Sequence, residues 1–187
     1  MKPWFLFPLP KSIHPSKVFS LQTQFSSLEL RQAFSSFPTG VTVITGFNSD
    51  KKPVGITVSS FNTVSLSPPL ILWSIGKQSD LKDCFSVGQR QLIHVLEANQ
   101  KELALIFAKQ IKKNILELNY TINSSGLYQL VDCAAYYECE TVAVHEGGDH
   151  QIIVARVLAI EHNPDLQPLL FAHSQFTQLA FDPEGSL

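Results

Sequence analysis

Charged residues are scarce in this sequence. Only 16% of its 187 residues are Asp, Glu, Lys or Arg, whereas about a quarter is usual. Lys and Arg number 14 against 16 Asp and Glu, so the chain lacks the basic excess by which nucleic-acid-binding proteins neutralise phosphates. Hydrophobic residues make up 44%, which excludes a mainly disordered protein. The sequence therefore predicts a folded protein with no nucleic-acid partner.

Cysteine pairs and long apolar runs are also missing. The three cysteines are Cys84, Cys133 and Cys139, and an odd number without a CxxC pair predicts neither a disulfide framework nor a zinc site. Reduced thiols of this kind are typical of a cytoplasmic protein. No apolar run approaches the roughly 18 residues that a membrane-spanning helix needs, so we expect no membrane association.

The first 25 residues are rich in proline and are predicted to form an extended arm. Their apolar run, Trp4 to Leu9, is too short for a signal-peptide core and is interrupted by Pro8. A poorly ordered tail fits the same residues. Residues 26–187 are predicted to form the folded domain.

Most of that domain is predicted to be β-structure. β-branched and apolar runs bounded by Gly, Pro, Asn and Asp are typical of strands joined by short turns. Strands of this kind are predicted over residues 41–45, 55–64, 70–75, 92–96, 134–145, 152–160 and 169–171.

A few helices are predicted between these strands. Ser26 and Glu29 have the spacing of a capping box, and Pro38 ends the helix that they open. Further helices are predicted over 81–87 capped by Asp80, over 100–109 capped by Asn99, and over 176–181, with residues 111–125 a loop that can hold a helical turn.

The order of these elements favours an antiparallel β-barrel with flanking helices. Alternation of strand and helix, the mark of a doubly wound sheet, is absent. Gly147-Gly148 lies between two strands and opens no helix, so it cannot be a dinucleotide-binding loop. No Gly-x-Ser-x-Gly nucleophile elbow is present either.

Three segments could carry chemistry. Thr57 to Ser65 would place hydroxyls and an aromatic ring along one rim, which suits a flat heterocycle, although a half-exposed strand has the same pattern. His150 follows two glycines and could orient a bound group or be a solvated turn residue. Lys77 to Asp80 precede a predicted helix and could hold a phosphate, but Asp80 would compete for the same donors, and a capped surface helix fits equally.

His145, Asp149 and His150 do not have the spacing of a helical metal motif, and no metal is expected there.

Four segments in order resemble the flavin reductase family. They are Phe37 to Thr45, Gly55 to Phe61, Val64 to Leu70, and Gly148 to His150. Each segment alone is a weak signal, but the four together, at similar intervals, are a strong one. The resemblance extends from about Leu28 to Leu179 and leaves only the arm outside it.

The resemblance implies a fold, an activity and partners. The fold would be a six-stranded antiparallel split β-barrel that binds FMN, or exchanges FAD, near the interface of a homodimer. Family members commonly transfer hydride from NADH or NADPH to the flavin. The reduced flavin often serves a partner monooxygenase.

The resemblance also assigns roles to individual residues. His150 would lie on the nicotinamide side. The isoalloxazine ring would be lined by Thr39, Thr57, Val58, Ser59, Ser60 and Phe61; the phosphate would be reached by Ser79 and Lys77; and the flavin would be bordered by Phe107 and Ala108.

Three departures from the family pattern weaken parts of this assignment, and one of them is that the region Lys112 to Tyr128 lacks the usual aspartate-lysine-phenylalanine pattern. Asp80-Leu81 follows Ser79 where family members often have a threonine, and His94-Val95-Leu96 replaces the usual Asn-Val-Leu. Flavin binding is accordingly better supported than turnover. A barrel that retains FMN for electron transfer or another oxidation, and a flavin-binding protein without turnover, are the alternatives.

Overall fold

The computed structural model describes residues 21, 23–108 and 118–180. The predicted extended arm therefore lies almost wholly outside the described residues. The predicted ends of two helices, at residues 109 and 181, and residues 111–117 of the predicted 111–125 loop also lie outside them.

The centre of the fold is a seven-stranded sheet in which every neighbouring pair is antiparallel, in the order β3-β2-β6-β9-β10-β5-β4. The mainly β, antiparallel class predicted from the sequence is confirmed. The strands are β2 (Thr42–Phe47), β3 (Pro53–Val58), β4 (Asn62–Leu66), β5 (Pro69–Gly76), β6 (Arg90–Val95), β9 (Ala135–Gly147) and β10 (His150–His162).

The predicted single strand over residues 55–64 is wrong, and its division explains why the sheet has seven strands and not six. β3 ends at Val58 and β4 begins at Asn62, on opposite edges of the sheet. The link of residues 59–61 can span only about 10 Å, so the sheet must curl until its edges meet. The Ser60 hydroxyl ties this link to β5, the neighbour of β4, since it accepts a hydrogen bond from Ser74 N at 2.9 Å.

Two small sheets flank the barrel. The first has the order β1-β11-β12, and the second pairs β7 with β8. The predicted helix over residues 176–181 is wrong, because Phe176 lies in β12 and its ring packs edge-to-face on Phe171 of β11. The predicted loop over 111–125 is wrong where it includes β7. The strands are β1 (Thr39–Gly40), β7 (Tyr120–Ile122), β8 (Tyr128–Leu130), β11 (Leu170–Ala172) and β12 (Gln175–Thr177).

Two α-helices are described, α1 (Ser27–Phe34) and α2 (Lys101–Ala108). The predicted capping box of α1 is confirmed: the Ser26 hydroxyl accepts from Glu29 N, and the Glu29 carboxylate accepts from Ser26 N. The predicted cap of α2 is wrong, since the Asn99 side-chain amide donates to the carboxylate of Glu97 instead.

The predicted helix over 81–87 is a single 3₁₀ turn, Lys82–Phe85, without a side-chain cap from Asp80. No helix of the described residues is long and apolar enough to cross a membrane.

The barrel interior holds two clusters of buried side chains. One cluster includes Trp73, Phe85 and Ile153, which fix β5, the 3₁₀ turn and β10 against one another. The other includes Val43, Leu96 and Phe107 and attaches α2 to β2. Burial of an aliphatic or aromatic side chain contributes about 1.5–3 kcal/mol to the free energy of folding. These clusters therefore stabilise the curled sheet.

Candidate functional site

The strand register connects several of the expected site segments. Thr42, the first residue of β2, pairs with Val58, the last residue of β3, so the 59–61 link leaves the sheet beside the start of β2. Ser60 bonds to Ser74 near the end of β5. Gly76, which ends β5, pairs with His150. The register of the strands therefore brings together segments that are far apart in the sequence.

The hairpin between β9 and β10 sets the position of His150. Its loop consists of only Gly148 and Asp149, and Gly148 has a φ of +74°, a conformation that glycine adopts without strain. Lys77 N donates to Asp149 O at 3.0 Å, which ties the tip of the hairpin to the turn that follows β5. His150 is therefore held in register with that turn.

Asp149 orients the imidazole of His150. Its Oδ1 lies 2.7 Å from His150 Nδ1, so Nδ1 carries the proton and Nε2 is left on the side of Gly76. This hydrogen bond, followed by the charge of His150, lowers the pKa of Asp149, and Arg31 of α1 makes a smaller contribution. The half-exposed ring can thus receive a ligand without first changing its tautomer.

The turn after β5 holds the expected phosphate-binding residues. Lys77 N and Ser79 N both donate to backbone carbonyls, so neither amide is available to a ligand. The Ser79 hydroxyl accepts from Leu81 N at 3.3 Å, and its own proton can still be donated. Lys77 Nζ forms an ion pair with Glu146 of β9. At Lys77 and Ser79 the side chains, and not the backbone amides, are therefore the groups that can donate to a ligand.

The segment from Thr57 to Phe61 forms one wall of the rim, but most of its side chains have other partners. Thr57 Oγ1 donates to Ala104 O of α2 at 2.7 Å. Val58 is buried in the core, and the Phe61 ring stacks on Tyr137. Within the segment, Ser59 alone is exposed. A ligand here would meet the Ser59 hydroxyl and the backbone of the other residues.

Thr39 carries the most informative atom of the rim. Its Oγ1 is the one buried side-chain nitrogen or oxygen, among residues 21, 23–108 and 118–180, that has no hydrogen-bond partner. Buried hydroxyls are normally hydrogen-bonded, and one without a partner costs about 1–3 kcal/mol. A ligand that bonds to Thr39 would remove this cost.

The two expected residues of α2 differ in environment. The Phe107 side chain is buried in the core cluster with Val43, whereas Ala108 is exposed at the last position of the helix. Because Phe107 fills the core, its contribution to the rim is to hold α2 in place. The ligand-lining role of both residues stays a prediction.

Glu146 was not foreseen from the sequence, and Asp149, although part of the Gly148 to His150 segment, was assigned no role. Asp149 lies beside His150, and Glu146 reaches Lys77 across β10. The sequence contains the glycine turn that predicts the hairpin, but a carboxylate pairs with Lys77 only because β9, β10 and β5 lie side by side. No group of three or more His, Cys, Asp or Glu that could hold a metal occurs in the described part of the chain.

The donors at the rim fit a flavin nucleotide. Thr39, Ser59 and Ser79 offer hydroxyls, and Lys77 offers a cation. A flavin presents ring nitrogens and carbonyls that accept hydrogen bonds, and its phosphate prefers a cation together with hydroxyl donors. Thr39 is the strongest indication, because its buried Oγ1 has no protein partner among the described residues.

Comparison with known proteins identifies the group to which this chain is similar. The family model described as flavin reductase like domain matches residues 34–180. The FMN reductase (NADH) SmoA of Agrobacterium fabrum is 40% identical over 151 residues, which are 81% of this chain and 85% of SmoA. The reductase subunit HsaB of a Mycobacterium tuberculosis flavin-dependent monooxygenase is 29% identical, over 88% of this chain and 87% of HsaB.

A solved structure shows the same fold. The NADH:FAD oxidoreductase SgcE6 of Streptomyces globisporus C-1027, in complex with NAD and FAD fragments, superposes with a TM-score of 0.77. It is 32% identical in sequence, and the match covers 85% of this chain and 94% of that one.

Proposed function

The chain belongs to the flavin reductase-like family, and from this premise we propose that it is an NAD(P)H-dependent oxidoreductase that reduces FMN or FAD. The observation that supports the proposal is the set of groups able to bind a ligand: a buried Thr39 hydroxyl without a partner among the described residues, the Lys77 cation, and a His150 ring oriented by Asp149. SmoA is named an FMN reductase and SgcE6 an FAD oxidoreductase, and both names include NADH.

A bound flavin would supply a ring that accepts a hydride at N5 from C4 of the nicotinamide. The residues of the chain bind and orient the two rings. Thr39 and Ser59 donate hydrogen bonds to flavin acceptors, and Lys77 and Ser79 hold the phosphate. Fixed donors stabilise the negative charge that the ring gains on reduction, without having to reorganise. No acidic catalytic residue is required.

His150 is the residue that we assign to the nicotinamide side. Its Nδ1–H is held by Asp149, so Nε2 faces the rim with a defined orientation. Stacking two rings within near-attack distance accounts for much of the rate in such a transfer. We therefore expect His150 to act by orienting the hydride donor, with flavin binding left to the other residues.

The test is anaerobic titration of the purified protein with FMN, FAD, NADH and NADPH. Wild type should bind a flavin and should oxidise a reduced nicotinamide with bleaching of the flavin absorbance. His150→Ala should lower kcat/KM for the nicotinamide about tenfold, corresponding to about 1.4 kcal/mol of lost positioning, with an unchanged Kd for the flavin.

His162→Ala is the matched control, because this exposed histidine ends the same strand about 40 Å away and should leave both constants unchanged. Unaltered nicotinamide oxidation by His150→Ala would contradict the assigned role. A wild type that binds no flavin would contradict the function. Tight FMN retention with slow reduction by both nicotinamides would instead favour a barrel that keeps its flavin for another oxidation.

The homodimer that the family resemblance implies is supported by an apolar groove across β5. The groove has a volume of about 350 Å³, and its lining includes Val64 and Leu66 of β4 together with Val157 and Ile160 of β10. Leu66 is 95% exposed and Ile160 is 68% exposed. Contiguous exposed apolar surface of this kind is typical of protein interfaces, and we assign it to a second copy of the chain.

Replacing Leu66 and Ile160 together with glutamate should convert the dimer to a monomer of 20.8 kDa, because charges cannot be buried unpaired at an interface. Light scattering after size-exclusion chromatography measures this. Val87→Glu, at an exposed valine outside the groove, should leave the mass unchanged. A wild type that is monomeric at micromolar concentration would contradict the assignment.

The partner of the reduced flavin is proposed to be a monooxygenase. HsaB is named as the reductase subunit of such an enzyme. We further propose a cytoplasmic location, supported by the free thiols of Cys84, Cys133 and Cys139.

A further inference from the structure

The lysine expected to bind the flavin phosphate already has an anionic partner. Lys77 Nζ forms an ion pair with Glu146 Oε2. The side chains are 37% and 72% exposed, so the pair lies at the surface of the rim, within reach of solvent and ligands. The hydrogen bond from Lys77, followed by its charge, lowers the pKa of Glu146, which is therefore ionised at neutral pH.

The strand register explains why this carboxylate reaches the turn. Gln151 of β10 pairs with Glu146 on one side and with Ile75 of β5 on the other. Glu146 and the end of β5 are thus separated by one strand, and the two long side chains meet beside it. The contact depends on three adjacent strands of a rigid sheet and not on a mobile loop.

The turn as a whole carries no excess of positive charge. Lys77 is accompanied by Lys82, whose Nζ lies 3.4 Å from Lys77 O. The acidic residues near these two lysines are Glu146, Asp80 in the turn itself and Asp149 at the hairpin tip. Asp149 is already hydrogen-bonded to His150, which leaves Glu146 as the carboxylate that pairs with the phosphate-binding lysine.

We propose that Glu146 is a specificity-determining residue that limits how strongly the enzyme holds the phosphate of its flavin. The proposal rests on the proposed function, in which Lys77 binds that phosphate. A phosphate dianion can reach Lys77 only by replacing the Glu146 carboxylate or by binding beside it, at the cost of repulsion. The phosphate therefore adds little to affinity, and the reduced flavin is released readily.

If the ion pair between Lys77 and Glu146 serves only the stability of the fold, a different result is expected. Exposed ion pairs contribute little to folding, and removal of such a pair would alter the binding of flavins with and without a phosphate to the same extent. Competition for Lys77 affects only the phosphorylated ligand. Comparison of FMN with riboflavin, which lacks the phosphate, therefore separates the two.

The experiment compares wild type with Glu146→Gln by fluorescence titration with FMN and riboflavin at low ionic strength. One carboxylate beside a dianion in a water-like dielectric corresponds to a change in affinity of about threefold to tenfold. The Kd for FMN should fall by that factor in Glu146→Gln, and the Kd for riboflavin should stay constant. The effect should shrink at about 0.5 M salt, because exposed charges are then screened.

Glu161→Gln is the control, since it changes the net charge equally at an exposed site on β10, roughly 35 Å from the hairpin tip. An unchanged ratio of the FMN and riboflavin Kd values in Glu146→Gln, or weaker FMN binding, would overturn the proposal. Binding of neither flavin by wild type would overturn the proposed function itself, and the two failures are distinguishable in one titration series.

Discussion

Replacing Gln91 with alanine is expected to lower the free energy of unfolding by about 3–5 kcal/mol. Gln91 is fully buried on β6 and lies at the centre of a chain of hydrogen bonds. Its Oε1 accepts from Trp73 Nε1 at 2.9 Å, and its Nε2 donates to Thr141 Oγ1 at 2.9 Å. Thr141 in turn donates to Phe85 O at 3.1 Å.

The size of the effect follows from what the substitution leaves behind. The indole N–H of Trp73 would remain buried without an acceptor, which costs about 1–3 kcal/mol. Thr141 would lose a donor, and the missing side-chain atoms would leave a cavity in the cluster around Trp73 and Phe85. Because these hydrogen bonds connect β5, β6, β9 and the 3₁₀ turn, the substitution weakens the contacts among all four elements.

Urea unfolding measured by circular dichroism tests this expectation. Gln91→Met keeps most of the side-chain volume but not the hydrogen bonds. Its free energy of unfolding should therefore lie between those of Gln91→Ala and wild type, because the cavity is filled but the hydrogen bonds are still missing. Gln89→Ala is the control, because Gln89 is exposed and its hydrogen bonds to Ser86 and Thr141 come from the backbone. A loss below about 1 kcal/mol in Gln91→Ala would show that water replaces the missing partners.

The class of the fold could be predicted because each strand carries its own signal. β-branched runs such as Val41 to Thr45 mark the strands, and Gly148 marks the two-residue hairpin. The break at residues 59–61 could not be predicted, because Ser59-Ser60-Phe61 contains no glycine, proline, asparagine or aspartate to mark the end of a strand. Only the closure of the sheet, in which Ser60 bonds to Ser74 of a distant strand, separates β3 from β4.

The site was predictable as a set of segments but not as a set of contacts. The family resemblance indicated Thr39, Lys77 and His150; the register pairs His150 with Gly76, the residue before Lys77, and the site as a whole stays a prediction. It could not show that the Thr57 hydroxyl is used by α2, because that bond joins residues 47 positions apart. Partners of this kind depend on how elements pack, which hydrophobic periodicity does not specify.

His94 makes the stability of the protein sensitive to acid. It lies fully buried on β6, where Nδ1 is 2.9 Å from Val43 O and Nε2 accepts from Leu130 N at 3.1 Å. Only the neutral ring with its proton on Nδ1 satisfies both bonds. Burial lowers the pKa of His94 from 6.5 to about 4. The folded state therefore resists protonation that the unfolded chain accepts.

The direction of the pH dependence follows from linkage. Between pH 6.5 and about 4, the unfolded state binds a proton at His94 that the folded state does not, so stability rises with pH in this window. The contribution is complete above pH 6.5 and is lost progressively as the pH falls to about 4. A difference of this size in pKa corresponds to about 3 kcal/mol.

His94→Asn isolates this contribution, because the family commonly has asparagine at this position and its amide does not titrate. The variant should be less stable than wild type at pH 7.5, and this difference should narrow by about 3 kcal/mol as the pH falls from 7.5 to 4. Denaturant unfolding at several pH values measures both curves. His162→Asn, at an exposed histidine, should follow wild type throughout.

Parallel curves for wild type and His94→Asn would contradict the assignment of the acid sensitivity to His94. Other groups that titrate in this range, including the exposed histidines and carboxylates, are present in both proteins and cancel in the difference between them. If the difference in the free energy of unfolding between the two proteins narrows between pH 6.5 and 4, the change can therefore come only from the His94 imidazole, which lies between β2 and β8. The same bonds that fix these strands at neutral pH would then be the first to be lost in acid.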